Sequence, residues 1–318
     1  MGAFIARRLM IGVLILILVT LLVFLVMRLL PGDPLLIFVA QSQTQSYTPE
    51  QLAELRHQYG LDKPLPMQYI DWINGVLHGD LGKSILQSSD VSYLIKSSLP
   101  ITAYLGIISV IISSIFGIGF GVICALRRGK WVDNLVTVIA NIGITVPAFW
   151  VGILLMYLFS LKLGWLPTGG FVSPLENFGD SLRKIIMPVI CLSLFSIASL
   201  TRQTRSSMLE VVGQDYIRTA WAKGLSERII IMRHTIKNAM IPVITILGLQ
   251  VSLVFGGSVL VETVFNIPGM GRLMANAVFS HDYQIVQAGV LIIALVVVIA
   301  NLAVDISYGW FDPRIRYS

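Results

Sequence analysis

The segment GQDYIRTAWAKGLSERIIIMRHTIKNAMIP, residues 213–242, lies between two apolar runs that are each long enough to cross a bilayer. Asp215 is placed to cap a short helix that ends at Gly224, and Ser226 followed by Glu227 is placed to cap a second helix. These side chains accept hydrogen bonds from the free N–H groups of a first helical turn. The segment therefore predicts a helix, a glycine turn and a second helix.

The second of these helices is predicted to be amphipathic. Arg233 and Lys237 are four residues apart and share one face. Apolar residues recur at helical spacing on another face: Ile229, Met232, Ile236 and Ala239. We therefore expect one face to pack against apolar groups and the other to meet water or an acidic surface. A merely solvated loop is the alternative, and it would not explain why caps and periodicity agree.

The composition of the whole chain indicates an integral membrane protein. Of its 318 residues 55% are hydrophobic and 13% are charged, whereas soluble domains carry about 25% charged residues. The net charge of +6 would suggest nucleic acid in a soluble chain. In a membrane chain its distribution matters more than its total. Cys124 and Cys191 fall within apolar runs, so neither a disulfide nor a metal site is predicted.

Six apolar runs predict an all-α fold with six transmembrane helices. They cover residues 9–30, 101–126, 135–161, 185–201, 239–261 and 285–308. Gly117, Gly119 and Gly121 in the second run would allow close helix contact. The chain accordingly divides into residues 1–30 with the first span, a polar lobe at 31–100, a core of five spans at 101–310 that includes the loop 202–238, and a tail at 311–318.

The polar lobe is predicted to contain two helices. The sequence TPEQ, which begins at Thr48, has the residues of a capping box with proline at the first helical position, and Gly60 is placed to end this helix. A second amphipathic helix is expected to begin near Pro66. Its apolar positions are predicted to share one face: Ile70, Ile73 and Leu77. We expect a small helical lobe rather than a linker.

The distribution of Lys and Arg predicts the orientation of the spans. If both termini are cytoplasmic, more than half of the basic residues lie in the inner segments, seven of them between Arg202 and Lys237. Basic residues accumulate on the cytoplasmic side of inner-membrane proteins. We therefore expect the loop 202–238 to face the cytoplasm and the lobe at 31–100 to lie outside it.

The predicted spans hold no ionisable residue near their middles. Transporters driven by protons or sodium generally place such residues, or unwound polar segments, near the midplane. Gly82-Lys83-Ser84 does not make a phosphate-binding loop, because Leu77 stands where that motif needs glycine. The sequence therefore predicts no catalytic, metal or cofactor site, and the energy for any transport must come from a partner.

The sequence resembles a known family at the same loop. Arg218-Thr219-Ala220, followed after three residues by Gly224, resembles the cytoplasmic EAA loop of permease subunits in ABC importers. The loop differs from the general pattern in two ways: Arg-Thr replaces Glu-Ala, and Pro242 follows Gly224 at a greater distance. In both respects it resembles the dipeptide, oligopeptide and nickel branch of that family. The resemblance extends through LLPGDP, TRSSMLEV, FNIPGMGR and DPRIRY, and so over nearly the whole chain.

The resemblance implies a type I ABC importer permease fold, in which a short cytoplasmic helix docks on an ATPase subunit. It assigns this coupling role to Asp215, Tyr216, Arg218, Thr219, Ala220, Lys223, Gly224, Leu225 and Ser226. Candidates for the translocation path are polar, small or kink-forming residues of the predicted spans: Pro147, Gln250, Ser252, Gly256 and Gly257. The chain would not be an enzyme, since ATP and Mg would be bound by the partner subunits.

The implied assembly lies in the bacterial inner membrane, with both termini of this multi-pass chain in the cytoplasm. Its other members would be a second homologous permease, two ATP-binding-cassette ATPases and a periplasmic or lipoprotein solute-binding protein, with membrane lipid around them and no nucleic acid. The implied solute is a small peptide, either a dipeptide or an oligopeptide. A nickel chelate, glutathione or an opine is the alternative within the family, and a passive channel or membrane scaffold is the alternative outside it.

Overall fold

The computed structural model describes residues 2–29, 35, 39 and 48–311, and these residues form helices joined by short connections, with no β-strand among them. This confirms the all-α prediction. The motif LLPGDP lies mostly outside the described residues, and DPRIRY with nearly all of the tail at 311–318 lies outside them as well.

The helices are α1 (Gly2–Leu29), α2 (Pro49–Gln58), α3 (Leu65–Leu77), α4 (Val91–Leu126), α5 (Trp131–Thr145), α6 (Ala148–Leu155), α7 (Phe178–Val212), α8 (Asp215–Ala222), α9 (Glu227–Ile229), α10 (Lys237–Val264), α11 (Met270–Phe279) and α12 (Tyr283–Phe311). Two π-helical segments, Met156–Lys162 after α6 and Ile230–Ile236 between α9 and α10, continue their neighbours.

Five continuous helices of the described chain are long and apolar enough to cross a membrane: α1, α4, α7, the helix from α9 into α10, and α12. The apolar run predicted at 135–161 forms two helices, α5 and α6, which meet at an angle of 102°. Val146 is extended and Pro147 follows it. Proline disfavours helical geometry in the residue before it, so the helix breaks at this point. Counting the bent pair as one span gives the predicted six.

The chain forms two compact units. One contains residues 6–101 and 268–296, so the first span and the predicted lobe belong to the same unit. Its core includes Met27, Ile95 and Met270. Ser84 donates a 2.5 Å hydrogen bond to the carboxylate of Asp282, and both side chains are buried. Burial raises the pKa of the Asp282 carboxyl above its ordinary value.

The lobe helices only partly match their predictions. The capping box of α2 is confirmed, since Thr48 and Gln51 exchange reciprocal hydrogen bonds. The predicted apolar face of α3 is largely exposed, since Ile70 and Leu77 are 63% and 79% exposed. The half-buried face of α3 carries Tyr69, Trp72, Ile73 and Val76. Periodicity correctly identified an amphipathic helix but did not identify the side that packs on protein.

The second unit is built around the contact of α7 with α4, α5 and α10. Gly117 and Gly121, four residues apart on α4, face α7 so closely that an added Cβ would lie 2.6 Å from Leu200 Cβ and 2.5 Å from Thr204 Cβ, respectively. Small residues at this spacing let two membrane helices approach closely. Gly119, on the other side of α4, has no such neighbour within 4 Å.

We predict that Gly121→Ala lowers the stability of the purified protein by about 1–3 kcal/mol, because overpacking of a close contact forces helices apart. The carbonyl oxygen of Thr201, 2.8 Å from the added Cβ, belongs to helical backbone and cannot rotate away. Gly119→Ala is the matched control and should be neutral or slightly stabilising, because alanine is the better helix former. Thermal unfolding in detergent measures both, and equal stability of the two variants would contradict the contact.

Candidate coupling helix and polar cavity

Helix α8 begins one residue earlier than its predicted cap requires. Gln214 occupies the N-cap position, and Asp215 is the first helical residue. The prediction that Asp215 caps this helix is therefore wrong. Its carboxylate instead lies 3.5 Å from the guanidinium of Arg218, and both side chains are largely exposed. Such an exposed pair contributes about 0–1 kcal/mol, so it leaves both charges available to a partner.

The turn after α8 depends on Gly224. Its φ angle is +74°, and its N–H donates a 2.9 Å hydrogen bond to the carbonyl oxygen of Trp221. Glycine adopts positive φ without steric cost, whereas a β-branched residue does so with strain. An added Cβ would meet no atom within 4 Å. Backbone conformation rather than lack of space therefore favours glycine here, which confirms the predicted turn.

The inner face of α8 packs on the same chain. Ile217 and Ala220 are buried to 1% and 7% exposure and contact Ile230 of the following π-helical segment. Val211 and half-buried Leu225 pack around this contact. The hydroxyl of Tyr216 also accepts a 3.2 Å hydrogen bond from the side-chain amide of Asn238. These contacts hold α8 against the start of the long helix α10.

The outer face of α8 is exposed and mixed in character. Its charged and polar positions are Asp215, Arg218, Thr219 and Lys223, and Ser226 is exposed just beyond them. Tyr216 and Trp221 add exposed aromatic surface, at 44% and 50%. Trp221 was not among the predicted coupling residues, although a tryptophan on a charged surface helix is typical of an interface. The face combines aromatic anchors with charges of both signs.

The segment after the turn differs from its prediction in two ways. Ser226 occupies the N-cap position, but its hydroxyl makes no capping hydrogen bond. The π-helical segment Ile230–Ile236 then shifts the register by widening the turn, and Thr235 donates a hydrogen bond to the carbonyl oxygen of Ile230, five residues back. The buried positions are therefore Ile230, Thr235 and Ala239, while Ile229 and Met232 are exposed. A period of 3.6 residues could not predict this face.

The predicted path residues differ in their exposure to solvent. Gln250 is buried, and its amide donates a 3.2 Å hydrogen bond to the carbonyl oxygen of Ser196. Ser252 is half-buried and Gly256 is exposed. Pro147 is exposed at the bend between α5 and α6. Gly257 lies in α10, and its surroundings are outside the described residues.

A cavity of about 570 Å³ lies among α5, α7 and α10, and none of the five predicted path residues lines it. Its polar lining comes from Thr137, Asn141, Ser199, Thr201, Arg202, Gln203, Arg205 and Ser206. Hydroxyl, amide and guanidinium groups can donate hydrogen bonds to a polar solute. The site could not be predicted from the sequence, because its residues are about 60 positions apart and come together only when their helices pack.

Beside the cavity, Asp133 of α5 and Arg205 of α7 form an ion pair. Arg205 Nε and Nη2 donate hydrogen bonds of 2.6 and 2.9 Å to the two carboxylate oxygens. The backbone N–H of Gly129 donates another at 2.9 Å. Asp133 is 2% exposed and the side chain of Arg205 is 31% exposed. The two-pronged geometry fixes α5 relative to α7.

A second buried polar contact joins α4 to the last turn of α10. The hydroxyl of Thr102 donates a 2.6 Å hydrogen bond to Glu262, and both side chains are at most 1% exposed. The predicted span ended at residue 261, one residue before this carboxylate. The structure includes it in α10.

We predict that Asp133→Ala destabilises the purified protein by about 1–3 kcal/mol, because Arg205 is left partly buried without its carboxylate. A double-mutant cycle with Arg205→Ala should give a coupling free energy of about 0.5–3 kcal/mol. Thermal unfolding in detergent is the measurement. Arg202→Ala, an exposed arginine on the same helix, should change stability by less than about 0.5 kcal/mol. Strictly additive effects of Asp133→Ala and Arg205→Ala would contradict a stabilising pair.

Comparison with known proteins identifies the family. Residues 117–317 match the family described as "Binding-protein-dependent transport system inner membrane component". Residues 1–106 match the corresponding N-terminal family, "Binding-prot-dependent transport system membrane comp, N-term". Together the two families cover most of the chain, including α8 and the polar cavity.

Several curated relatives align with the full length of the chain. A probable peptide ABC transporter permease protein of Sinorhizobium fredii is 38% identical over 317 residues, covering 100% of both chains. A putative peptide transport system permease protein of Brucella abortus is 41% identical, also covering 100% of both chains. The di/tripeptide transport system permease protein DppB of Pseudomonas aeruginosa is 39% identical over 337 residues, covering 100% of this chain and 99% of its own.

A solved structure shares the fold. A chain of the MetNI methionine ABC transporter, in an inward-facing conformation, superposes with a TM-score of 0.57 at 15% identity and covers 69% of this chain and 97% of its own. In ABC importers of this kind the membrane subunit carries no ATPase site, and separate ATPase subunits and a binding protein are its partners. The chain belongs to the binding-protein-dependent transport system inner membrane components, and it is a permease subunit of an ABC importer.

Proposed function

We propose that this permease forms half of a translocation path for small peptides delivered by a solute-binding protein. The observation that carries the proposal is the end-to-end alignment, near 40% identity, with permeases named for peptide or di/tripeptide transport. The proposed assembly contains a second homologous permease, two ATP-binding-cassette ATPases and one periplasmic or lipoprotein binding protein. ATP and Mg bind to the ATPases, and this chain holds no cofactor.

The proposed ATPase contact is the outer face of α8. Arg218, Thr219 and Lys223 are exposed there, and Trp221 supplies an aromatic anchor of the kind that dominates protein interfaces. The inner face is packed on Ile230. Movement of an ATPase subunit that holds α8 would therefore also move the start of α10.

The proposed path includes the polar cavity among α5, α7 and α10. Its volume of about 570 Å³ is in the range of small-molecule sites. Backbone and terminal groups of a short peptide need both donors and acceptors, and the lining side chains of Asn141 and Gln203 provide both. Arg202 adds a cation suited to a carboxylate.

Uptake by a reconstituted complex tests this function. Proteoliposomes containing both permeases and both ATPases, with ATP inside and the cognate binding protein outside, should accumulate a labelled dipeptide. Accumulation should require ATP and the binding protein. Equilibration of the peptide without ATP would instead indicate a passive channel, and uptake of a nickel chelate without peptide uptake would overturn the proposed solute.

We predict that Gly224→Val abolishes or strongly reduces peptide-stimulated ATP hydrolysis in this complex, while Gly224→Asn keeps most of it. A non-glycine residue at positive φ stores about 1–3 kcal/mol of strain, which asparagine tolerates better than valine. Because the position has open space, the two variants differ through the backbone and not through a clash. Subunit stoichiometry is measured in the same sample. Wild-type stimulation in the assembled valine variant would exclude the turn as a coupling element.

The proposed orientation places both termini and α8 in the cytoplasm, as the distribution of basic residues suggests. Single cysteines at exposed Lys223, Glu54 and Glu176, in a chain lacking Cys124 and Cys191, provide the test. An impermeant thiol reagent applied to intact spheroplasts should label positions 54 and 176 but not 223. Labelling of position 223 alone would show that the orientation is opposite to the one proposed.

A further inference from the structure

Helix α3 presents three distinct faces. Tyr69, Trp72 and Val76 form a half-buried face. Ile70 and Leu77, seven residues apart and therefore on one side of the helix, are 63% and 79% exposed. Asp71 and His78, also seven residues apart, form an adjacent exposed polar face. A helix with separate apolar and polar exposed faces is typical of the membrane interface.

Contacts with α1 determine how deep α3 lies. The hydroxyls of Tyr69 and Thr20 are 3.0 Å apart, and the rings of Tyr69 and Phe24 meet edge to face with centroids 5.3 Å apart. At the end of α1, Arg28 Nε donates a 2.9 Å hydrogen bond to the side-chain oxygen of Gln68. The half-buried face of α3 is therefore the one that contacts α1.

These contacts place part of α3 at the depth of the bilayer. Residues 9–27 of α1 carry no charge, and Arg28 is the first charged residue after them. Thr20 precedes Arg28 by eight residues, which corresponds to about 12 Å along a helix. The hydrocarbon core is about 30 Å thick. A side chain that reaches Thr20 therefore enters the leaflet, while Gln68 stays at the level of the Arg28 guanidinium.

We propose that α3 lies in the membrane interface at the Arg28 end of α1, with Ile70 and Leu77 in contact with lipid acyl chains. Its polar face, with Asp71 and His78, points to water. Tyr69 and Trp72 then take the interfacial depth at which tyrosine and tryptophan are enriched. Helix α3 is therefore an interfacial helix packed against the first span, rather than part of a lobe surrounded by water.

Lipid is the occupant that the surroundings favour. The outer half of α1, against which α3 packs, exposes Leu21, Leu22, Leu25 and Val26 at 38–61%. This part of a membrane-spanning helix is covered by acyl chains. The apolar face of α3 begins at the same depth, since Ile70 directly follows Tyr69. A lipid surface that already surrounds α1 therefore covers Ile70 and Leu77 as well.

Nitroxide labels on single cysteines test the proposal in the reconstituted transporter. Leu77, the last residue of α3, and His78, its C-cap, are the matched pair, because they are adjacent in sequence but project to different sides at the end of the helix. Ile70 is a second apolar site. Leu22 of α1, 61% exposed, is the lipid reference. Collision rates with oxygen, which concentrates in lipid, and with a water-soluble nickel chelate are measured by power saturation in proteoliposomes.

The ratio of oxygen to nickel accessibility should be several-fold higher at positions 70 and 77 than at 78, and should approach that of position 22. High nickel accessibility at both 77 and 78 would place the helix in water and overturn the proposal. Low accessibility of 70 and 77 to both reagents would show that a protein covers the apolar face, and would overturn it equally.

Discussion

The packing of Ile217 and Ala220 against Ile230 is the contact on which the proposed coupling role of α8 depends. It joins a helix of eight residues, too short to be stable alone, to the start of a membrane-spanning helix. Gly224 makes this contact possible by reversing the chain at positive φ. Without it, α8 would be an exposed loop that could bind a partner but could not transmit its movement.

The same contact connects the outer face of α8 to the proposed path. The π-helical segment that contains Ile230 leads directly into α10, and α10 packs along α7. Helix α7 also contributes most of the cavity lining and holds α5 through the Asp133–Arg205 pair. In the proposed function, a displacement of α8 therefore changes the shape of the cavity through the packing of α10 on α7 and through the Asp133–Arg205 ion pair.

Local patterns predicted the parts of this fold that depend on neighbouring residues. The capping box at Thr48, the turn at Gly224 and the apolar spans need only short-range chemistry, and the structure confirms them. Two features could not be predicted from neighbouring residues, because they depend on contacts between helices: the π-helical register at Ile230 and the face of α3 that packs on protein. For α3 the reason is physical: hydrophobic spacing shows which residues avoid water, but both protein and lipid can cover them. The cavity and the Asp133–Arg205 pair likewise required helix packing before they could be seen.

A photo-reactive amino acid in place of Trp221 tests whether α8 contacts an ATPase subunit, because this side chain is exposed on the outer face of α8. The assembled transporter is irradiated, and the adduct is identified by mass spectrometry. We expect a cross-link from position 221 to an ATPase subunit, with a yield that changes when ATP is added, and none from Phe279, an exposed residue of α11. A cross-link to the ATPase from Phe279 but not from position 221 would contradict this expectation.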